Sequence, residues 1–574
     1  MSAVFRSPLP MRALFATLIL FSIAACDDAV DAPPPLPVID DSNKATVYIG
    51  GTIYTGRPEA PTADFVKVDA EGRIENVITG ADAANAAFAH ARENHANIVN
   101  LEGAVMFPGF VDAHAHLLGI GQRELRLDLS NVLSIEELTV RITEELADKA
   151  EGEVLFGTGW IETGWPERRM PSIEDLDPVS PDNPVILVRA DGHALIANSA
   201  ALEAAGIGFN TVDPQGGQIE RGDDGQATGM LIDNAMGRAL SLVAQPSEAD
   251  IVTALATGAD VYARRGWTGL HNMSVEPEHA PLLERLALED RMPVRLHNAY
   301  DPSGFELVAR RRHETDTIQN RAIKIYMDGA LGSRGAQLAE PYADRPETSG
   351  LALLEDDALL DQMNRAAEES VQLAIHAIGD LANKRVLDTI ETHYPTTAHA
   401  LRWRIEHAQI IQPDDIARVA ELQLIASMQP SHAIGDLFFA PDRLGPDRLD
   451  GAYAWNSLIE AGAVIAGGSD APVEVGSPQI EFYAAVARRG LNGYQDEAWR
   501  PGEAVSRENA LKMFTIWPAY ASFQEDDLGT IAPGKLADFT VFDRDLMTIP
   551  AEEILEARPV MTIVAGDIIF PANE

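Results

Sequence analysis

FPGFVDAHAH, residues Phe107 to His116, closes a strand-like apolar run on two histidines at i and i+2. Successive strand side chains alternate faces, so His114 and His116 point the same way, as two imidazoles chelating one metal ion must. Phe107-Pro108-Gly109 marks a strand starting after a turn, and Val111, Ala113 and Ala115 give the opposite face small apolar groups that can pack beneath helices. A His-x-His pair alone also arises by chance on surfaces, so its meaning depends on the rest of the chain.

Four later segments repeat the design, each an apolar run that ends on a possible metal ligand and then breaks into Gly, Ala or Asp. They are AIKIYMDG (322–329), LAIHAIGD (373–380), RIEHAQ (404–409) and AGGSDAPV (466–473), with polar ends at Lys324, His376, His407 and Asp470. Parallel strands buried on both faces read as continuous apolar runs, and in a (β/α)8 barrel the reactive groups sit at the strands' C-terminal ends. Taken singly, His376 or His407 also fits a hydrogen-bonded core histidine, and Asp470 a helix N-cap. Lys324 is harder to explain structurally. Lysine is rarely buried unpaired, and this chain uses it only at Lys44, Lys67, Lys149, Lys324, Lys384, Lys512 and Lys535. Placed between Ile323 and Ile325, its charge must be removed or compensated.

The ordered set His-x-His after Pro-Gly-Phe, Lys324, His376, His407 and Asp470 resembles the metal-dependent amidohydrolase superfamily. More narrowly, it is similar to the YtcJ-like, amidohydrolase 3 branch that includes N-substituted formamide deformylases. DGHALIANSAAL (191–202), QGGQIERGDDGQATGML (215–231), GALGSRGAQLAEPY (329–342) and PGKLADFTVFD (533–543) carry the likeness further, from about Ala45 to Phe570. The resemblance implies one or two divalent ions, zinc by default, and carbon dioxide added to Lys324 as a bridging carbamate. It assigns His114, His116 and Asp470 to one ion, and His376 and His407 to the other. Asp470 is also implied as the proton-transferring residue. The expected reaction is hydrolysis of a non-peptide carbon–nitrogen bond in an N-formyl, N-acyl or cyclic amide. The same metal site used for ester hydrolysis, another hydrolysis or decarboxylation, and a non-catalytic metal- or ligand-binding lipoprotein, are the alternatives.

The fold expected is α/β, a TIM barrel whose eight strands end near His116, His271, Tyr300, Asp328, His376, His407, Pro430 and Asp470. Helical stretches such as Pro281 to Glu289 and Asp356 to Ser370 fill the connections. The barrel is expected over 107–527, with an insertion at about 117–265 that carries its own strands, VLFGTGW (154–160) and PVILVRADGH (184–193). By the resemblance, segments 45–106 and 528–570 join into one small β-sandwich. Insertions after a barrel strand lie over the active-site mouth, so Trp160 and His193 on the insert, Arg334 after the fourth strand and His432 after the seventh have a possible substrate role. The competing readings are insert core for Trp160 and an ion pair with Asp328 or Glu340 for Arg334.

At 574 residues and 46% hydrophobic, the chain is long enough for a barrel with insertions, and a net charge of -44 argues against nucleic acid as a partner. A small-molecule substrate fits better, with a homo-oligomer possible. Arg6 and Arg12, the apolar run Ala13 to Phe21, and Ile23-Ala24-Ala25-Cys26 form an export signal that resembles a bacterial lipoprotein cleavage box. Residues 1–26 are expected to be that signal, with Cys26, the sole cysteine, lipidated and 27–44 an acidic, proline-rich tether. The mature protein is then membrane-anchored, facing the periplasm or cell exterior. An ordinary signal peptide or an uncleaved anchor is the alternative.

Overall fold

The computed structural model describes residues 45–571 apart from 130–131, 148, 161, 163–164, 190–193, 215–216, 223, 244–245 and 492–497. Residues 1–44, where the export signal, Cys26 and the tether are expected, therefore lie outside the described residues. Among the described residues no helix is long and apolar enough to cross a membrane.

Eight parallel strands follow one another around a single sheet: β1 (Phe110–Ala115), β2 (Trp267–Val275), β3 (Arg295–Tyr300), β4 (Ile318–Tyr326), β5 (Gln372–Ala377), β6 (Arg404–His407), β7 (Ile425–Met428) and β8 (Val464–Gly467). Their residues are almost all buried, because helices cover the outside and side chains fill the inside. The helices expected near 281–289 and 356–370 occupy Ala280–Leu288 and Asp356–Glu369. β2 runs four residues past the expected end at His271, its pairing with β3 shifting register between Asn272 and Val275 and Ser274 lying left-handed at φ 56.

The ring closes just beyond the last strand. The Asp470 amide donates to His114 O at 2.7 Å and the His116 amide to Ala471 O at 2.8 Å, so three expected ligand positions, His114, His116 and Asp470, form the seam itself. A side chain cannot fit there: a Cβ on Gly468 would lie 2.5 Å from the His114 nitrogen.

The chain's two ends share a six-stranded sheet, in the order 567–570, 559–564, 539–542, 105–108, 52–54, 62–63. Val105–Pro108 belongs to this sheet rather than to the barrel, so the barrel begins three residues later than the sequence suggested, after the turn at Gly109. A second sheet of four strands (74–78, 65–68, 46–49, 97–100) is N-terminal only, and the helix Ala81–Glu93 between its strands was not anticipated. The buried Arg295–Asp538 ion pair, 2.6 Å, ties β3 to the mixed-end sheet.

Between β1 and β2, helices Leu117–Glu124 and Glu248–Arg264 pack face to face. A Cβ on Gly121 would lie 1.7 Å from Ala254 O, so glycine sets the close approach. The segment between these helices builds its own six-stranded sheet, in the order 217–221, 227–233, 194–197, 185–189, 155–160, 127–128, with one apolar core around Leu138, Trp165 and Leu187 and another around Ile186, Leu195 and Leu231.

Candidate metal centre

His114 is fully buried on β1, and His116, one residue past its end, opens the following helix. Strand alternation sends both rings to one carboxylate oxygen: Asp470 Oδ1 lies 3.5 Å from His114 Nε2 and 3.1 Å from His116 Nε2. Each ring is held from behind. Glu406 Oε2 meets His114 Nδ1 at 2.6 Å, and Met273 O meets His116 Nδ1 at 3.1 Å, which leaves both Nε2 atoms facing the mouth.

His407 ends β6 one residue after Glu406, so simple alternation would turn it away. Its backbone is left-handed at φ 73, as is Ala408 at φ 45, and this brings the ring to 4.7 Å from His114 and 4.5 Å from His376. Asp470 is left-handed too, at φ 62. Non-glycine residues in this region cost energy and persist where the surroundings over-determine them, which is common at functional sites. Gln429 Oε1, 2.9 Å from His407 Nδ1, orients that ring.

Lys324 on β4 is 1% exposed, with Nζ 3.5 Å from His114 Nε2 and 5.3 Å from the centre of the Tyr326 ring. Burial lowers its ammonium to about 8, against the opposing pull of Glu406 and Asp470, so a neutral amine is accessible there. Burial, reinforced by the Lys324 charge, brings His114 down to about 4 and His376 to about 3. These rings are neutral near pH 7, the form that ligates metal. Burial alone would raise Asp470, but attraction to His114, protonated only in the acid range where the carboxyl would titrate, and the His116 hydrogen bond outweigh it and hold the carboxyl well below its usual range. Neutral imidazoles thus face one ionised carboxylate, a donor set that fits a divalent cation without thiolate. Among the described residues, the groups of three donors lying within 4.8 Å of one another are His114–His116–Asp470 and His407–His432–Asp470.

His376 turns Nε2 toward Asp328 Oδ1 at 3.4 Å, where it has no hydrogen-bond partner. Asp328 itself accepts from the amides of Gln337, Ile378 and Gly379, pinning the loop after β4 to the end of β5. Arg334 lies on that loop and lines the mouth, but its partner is Asp344 at 2.7 Å, not Asp328 or Glu340. His432 also lines the mouth. Trp160 does not: it is fully buried in the insert, donating from Nε1 to Leu187 O at 2.9 Å, which corrects the substrate role expected for it. His193 lies outside the described residues. The mouth is a cavity of about 970 Å³ reaching from Lys324 to Glu474.

The sequence reading missed Arg404 and Glu406. Both are fully buried; Arg404 chelates Glu406, at 2.5 Å from Nε and 3.1 Å from Nη2, and also bonds His271 Nδ1, Ala113 O and Ser427 Oγ. The signal was present in the alternation Arg404-Ile405-Glu406: two opposite charges on one face of a buried strand must pair.

The sequence pattern of the amidohydrolase family matches residues 97–570. The chain belongs to the amidohydrolase family. The Bacillus subtilis protein YtcJ is 33% identical over 534 residues, spanning 91% of this chain and 99% of that protein. The N-substituted formamide deformylase of Arthrobacter pascens is 30% identical over 490 residues, 82% of this chain and 89% of the enzyme. Among solved structures, an uncharacterized metal-dependent hydrolase from Pyrococcus furiosus superposes with a TM-score of 0.71 at 27% identity, over 88% of this chain and all of that one. This amidohydrolase is a hydrolase built on an eight-stranded barrel, with His114, His116 and Asp470 gathered at its mouth.

Proposed function

We propose that the protein hydrolyses a non-peptide carbon–nitrogen bond of an N-formyl, N-acyl or cyclic amide, yielding a carboxylic acid and an amine. The observation that carries this reading is the convergence of His114 and His116 on Oδ1 of the ionised Asp470 at the floor of a large cavity. The likeness to a formamide deformylase supports an amide as substrate.

In this reading His114, His116 and Asp470 hold one divalent ion, with zinc the default for imidazole and carboxylate donors, while Lys324, as its carbon dioxide adduct, His376 and His407 line a second position. Metal held there would supply Lewis acidity, lowering the pKa of water toward neutrality and polarising the amide carbonyl. The chain's own residues do the rest. Glu406 fixes His114 with Nε2 outward, and Met273 O does the same for His116. Asp470, ionised at the start, takes the proton released by the attacking water and returns it to the departing nitrogen, so that the amine leaves neutral. The neutral amine that burial favours at Lys324 is the form that takes up carbon dioxide, and the adduct's negative charge would be compensated by the ions it helps to hold.

Export with a lipid anchor at Cys26 belongs to the same proposal; mass spectrometry of the mature N-terminal peptide would show a diacylglyceryl group on that cysteine, or a bare terminus if the signal is of the ordinary kind. The catalytic test is amine release from a panel of N-formyl, N-acyl and cyclic amides with matched esters, before and after chelation. Chelator-sensitive turnover of amides over esters supports the assignment, and metal-loaded protein active only on the esters contradicts it.

A further inference from the structure

We infer that His432 is a metal ligand, closing the second ion position together with His407 and the Oδ2 oxygen of Asp470, so that this one carboxylate spans both positions. The inference rests on the metal-binding reading above but adds a ligand outside the set the sequence resemblance assigns.

Three observations carry it. His432 is only 7% exposed, lies at the mouth, and its Nε2 has no hydrogen-bond partner, an expensive arrangement for a buried ring nitrogen unless something else occupies it. That Nε2 lies 3.5 Å from Asp470 Oδ2, whereas His114 and His116 approach Oδ1, so the carboxylate's two oxygens face two different donor groups. His407, His432 and Asp470 have donor atoms all within 4.8 Å of one another, as one ion requires.

The surroundings of the two rings match as well. His407 and His432 stack at 5.9 Å and 16°, and each has a glutamine on Nδ1 at 2.9 Å: Gln429 for His407, Gln409 for His432. Gln429 presents its oxygen, which requires Nδ1–H and leaves the His407 Nε2 lone pair free. Gln409 presents its nitrogen and strands its own buried Oε1 without a partner. Exchanging that amide's oxygen and nitrogen lets Oε1 accept from an Nδ1–H and frees the His432 Nε2 lone pair, the same ring tautomer as at His407, although the Gln409 NH2 then takes the place of the unpartnered atom. A substrate contact would need none of this pairing. It would need a hydrogen-bonding edge toward the cavity, not a nitrogen aimed at a carboxylate already shared with two other histidines.

The test is metal titration followed by elemental analysis of the mature protein, His432→Ala and His432→Cys, with folding checked by circular dichroism. Two ions are expected in the parent; His432→Ala should keep one and bind the second at least about 100-fold more weakly, since even residues behind a ligand cost 10–100-fold when changed. His432→Cys loaded with cobalt should develop a near-ultraviolet thiolate-to-cobalt charge-transfer band, which appears only if position 432 touches metal and which needs no substrate. Unchanged binding of every ion by His432→Ala, or a folded, cobalt-loaded His432→Cys without that band, overturns the assignment; an accompanying rise in KM alone would make His432 a substrate contact. Metal bound as expected but no amide turned over would instead defeat the proposed reaction and leave the ligand assignment standing.

Discussion

Two pairs of histidines sit inside the same barrel in nearly the same mutual geometry. His114 and His407 at the mouth have ring centres 4.7 Å apart at 54°, and His271 and His297, one layer below, 4.9 Å apart at 55°. All four are buried, and burial pushes all four below the ordinary histidine range. Their partners separate them. The mouth rings are gripped on Nδ1 by Glu406 and Gln429 and turn Nε2 toward a shared carboxylate. In the lower layer, His271 meets the guanidinium of Arg404 at 2.7 Å and His297 meets Gln372 at 2.9 Å, and among the described residues neither ring belongs to a group of three metal-donor side chains. A cation placed there would face Arg404. Proximity of imidazoles in a barrel therefore does not make a metal site; an anionic centre with the outer nitrogens tied back does.

The sharpest way to break this contrast is to remove the centre. Asp470→Asn should lower kcat by at least about 10³-fold, within the range of a lost general base, while leaving the unfolding temperature within a few degrees of the parent. Steady-state kinetics beside a thermal melt check it; a fall in both together would make Asp470 a structural residue. Glu406→Gln is next. It leaves the fully buried Arg404 without its counter-charge, and should cost about 3–5 kcal/mol in denaturant unfolding and weaken metal binding about 10–100-fold through a loosened His114. Stability lost with metal affinity intact would show that Glu406 serves the barrel alone.

Much of this was readable before any coordinates. The apolar runs ending on His116, Lys324, His376, His407 and Asp470 mark five of the eight strand ends because a doubly covered parallel strand must be apolar until it reaches the mouth. The outer layer of the site was hidden for a different reason: Glu406, Gln429 and Gln409 matter through contacts across 20 or more residues, and polar residues in strands are common for many reasons. Trp160 was misplaced because an aromatic after a glycine-rich strand end looks alike whether it faces a cavity or its own sheet's core. The start of β1 was misjudged because Phe107 and Phe110 are both fully buried, although they serve different sheets.

Smaller effects sharpen the contrast from the other side. His271→Asn should cost about 1–3 kcal/mol, from disturbed hydrogen bonding around Arg404, with metal stoichiometry unchanged. Elemental analysis showing a lost ion would mean the lower layer belongs to the metal centre after all. Trp160→Phe removes the bond to Leu187 O and should destabilise by about 1–2 kcal/mol with KM unaltered, as measured by denaturant unfolding and kinetics. A changed KM would restore a substrate role to the insert's core.

The central claim is that hydrolysis depends on metal at the mouth of the barrel. It is tested most directly by stripping the mature protein with a chelator and following amine release from an N-formyl amide as zinc is added back per chain. The account predicts activity near zero in the stripped protein, recovering as ions are bound, in the parent and in His271→Asn alike but not in His116→Ala. Full turnover by metal-free protein would contradict it.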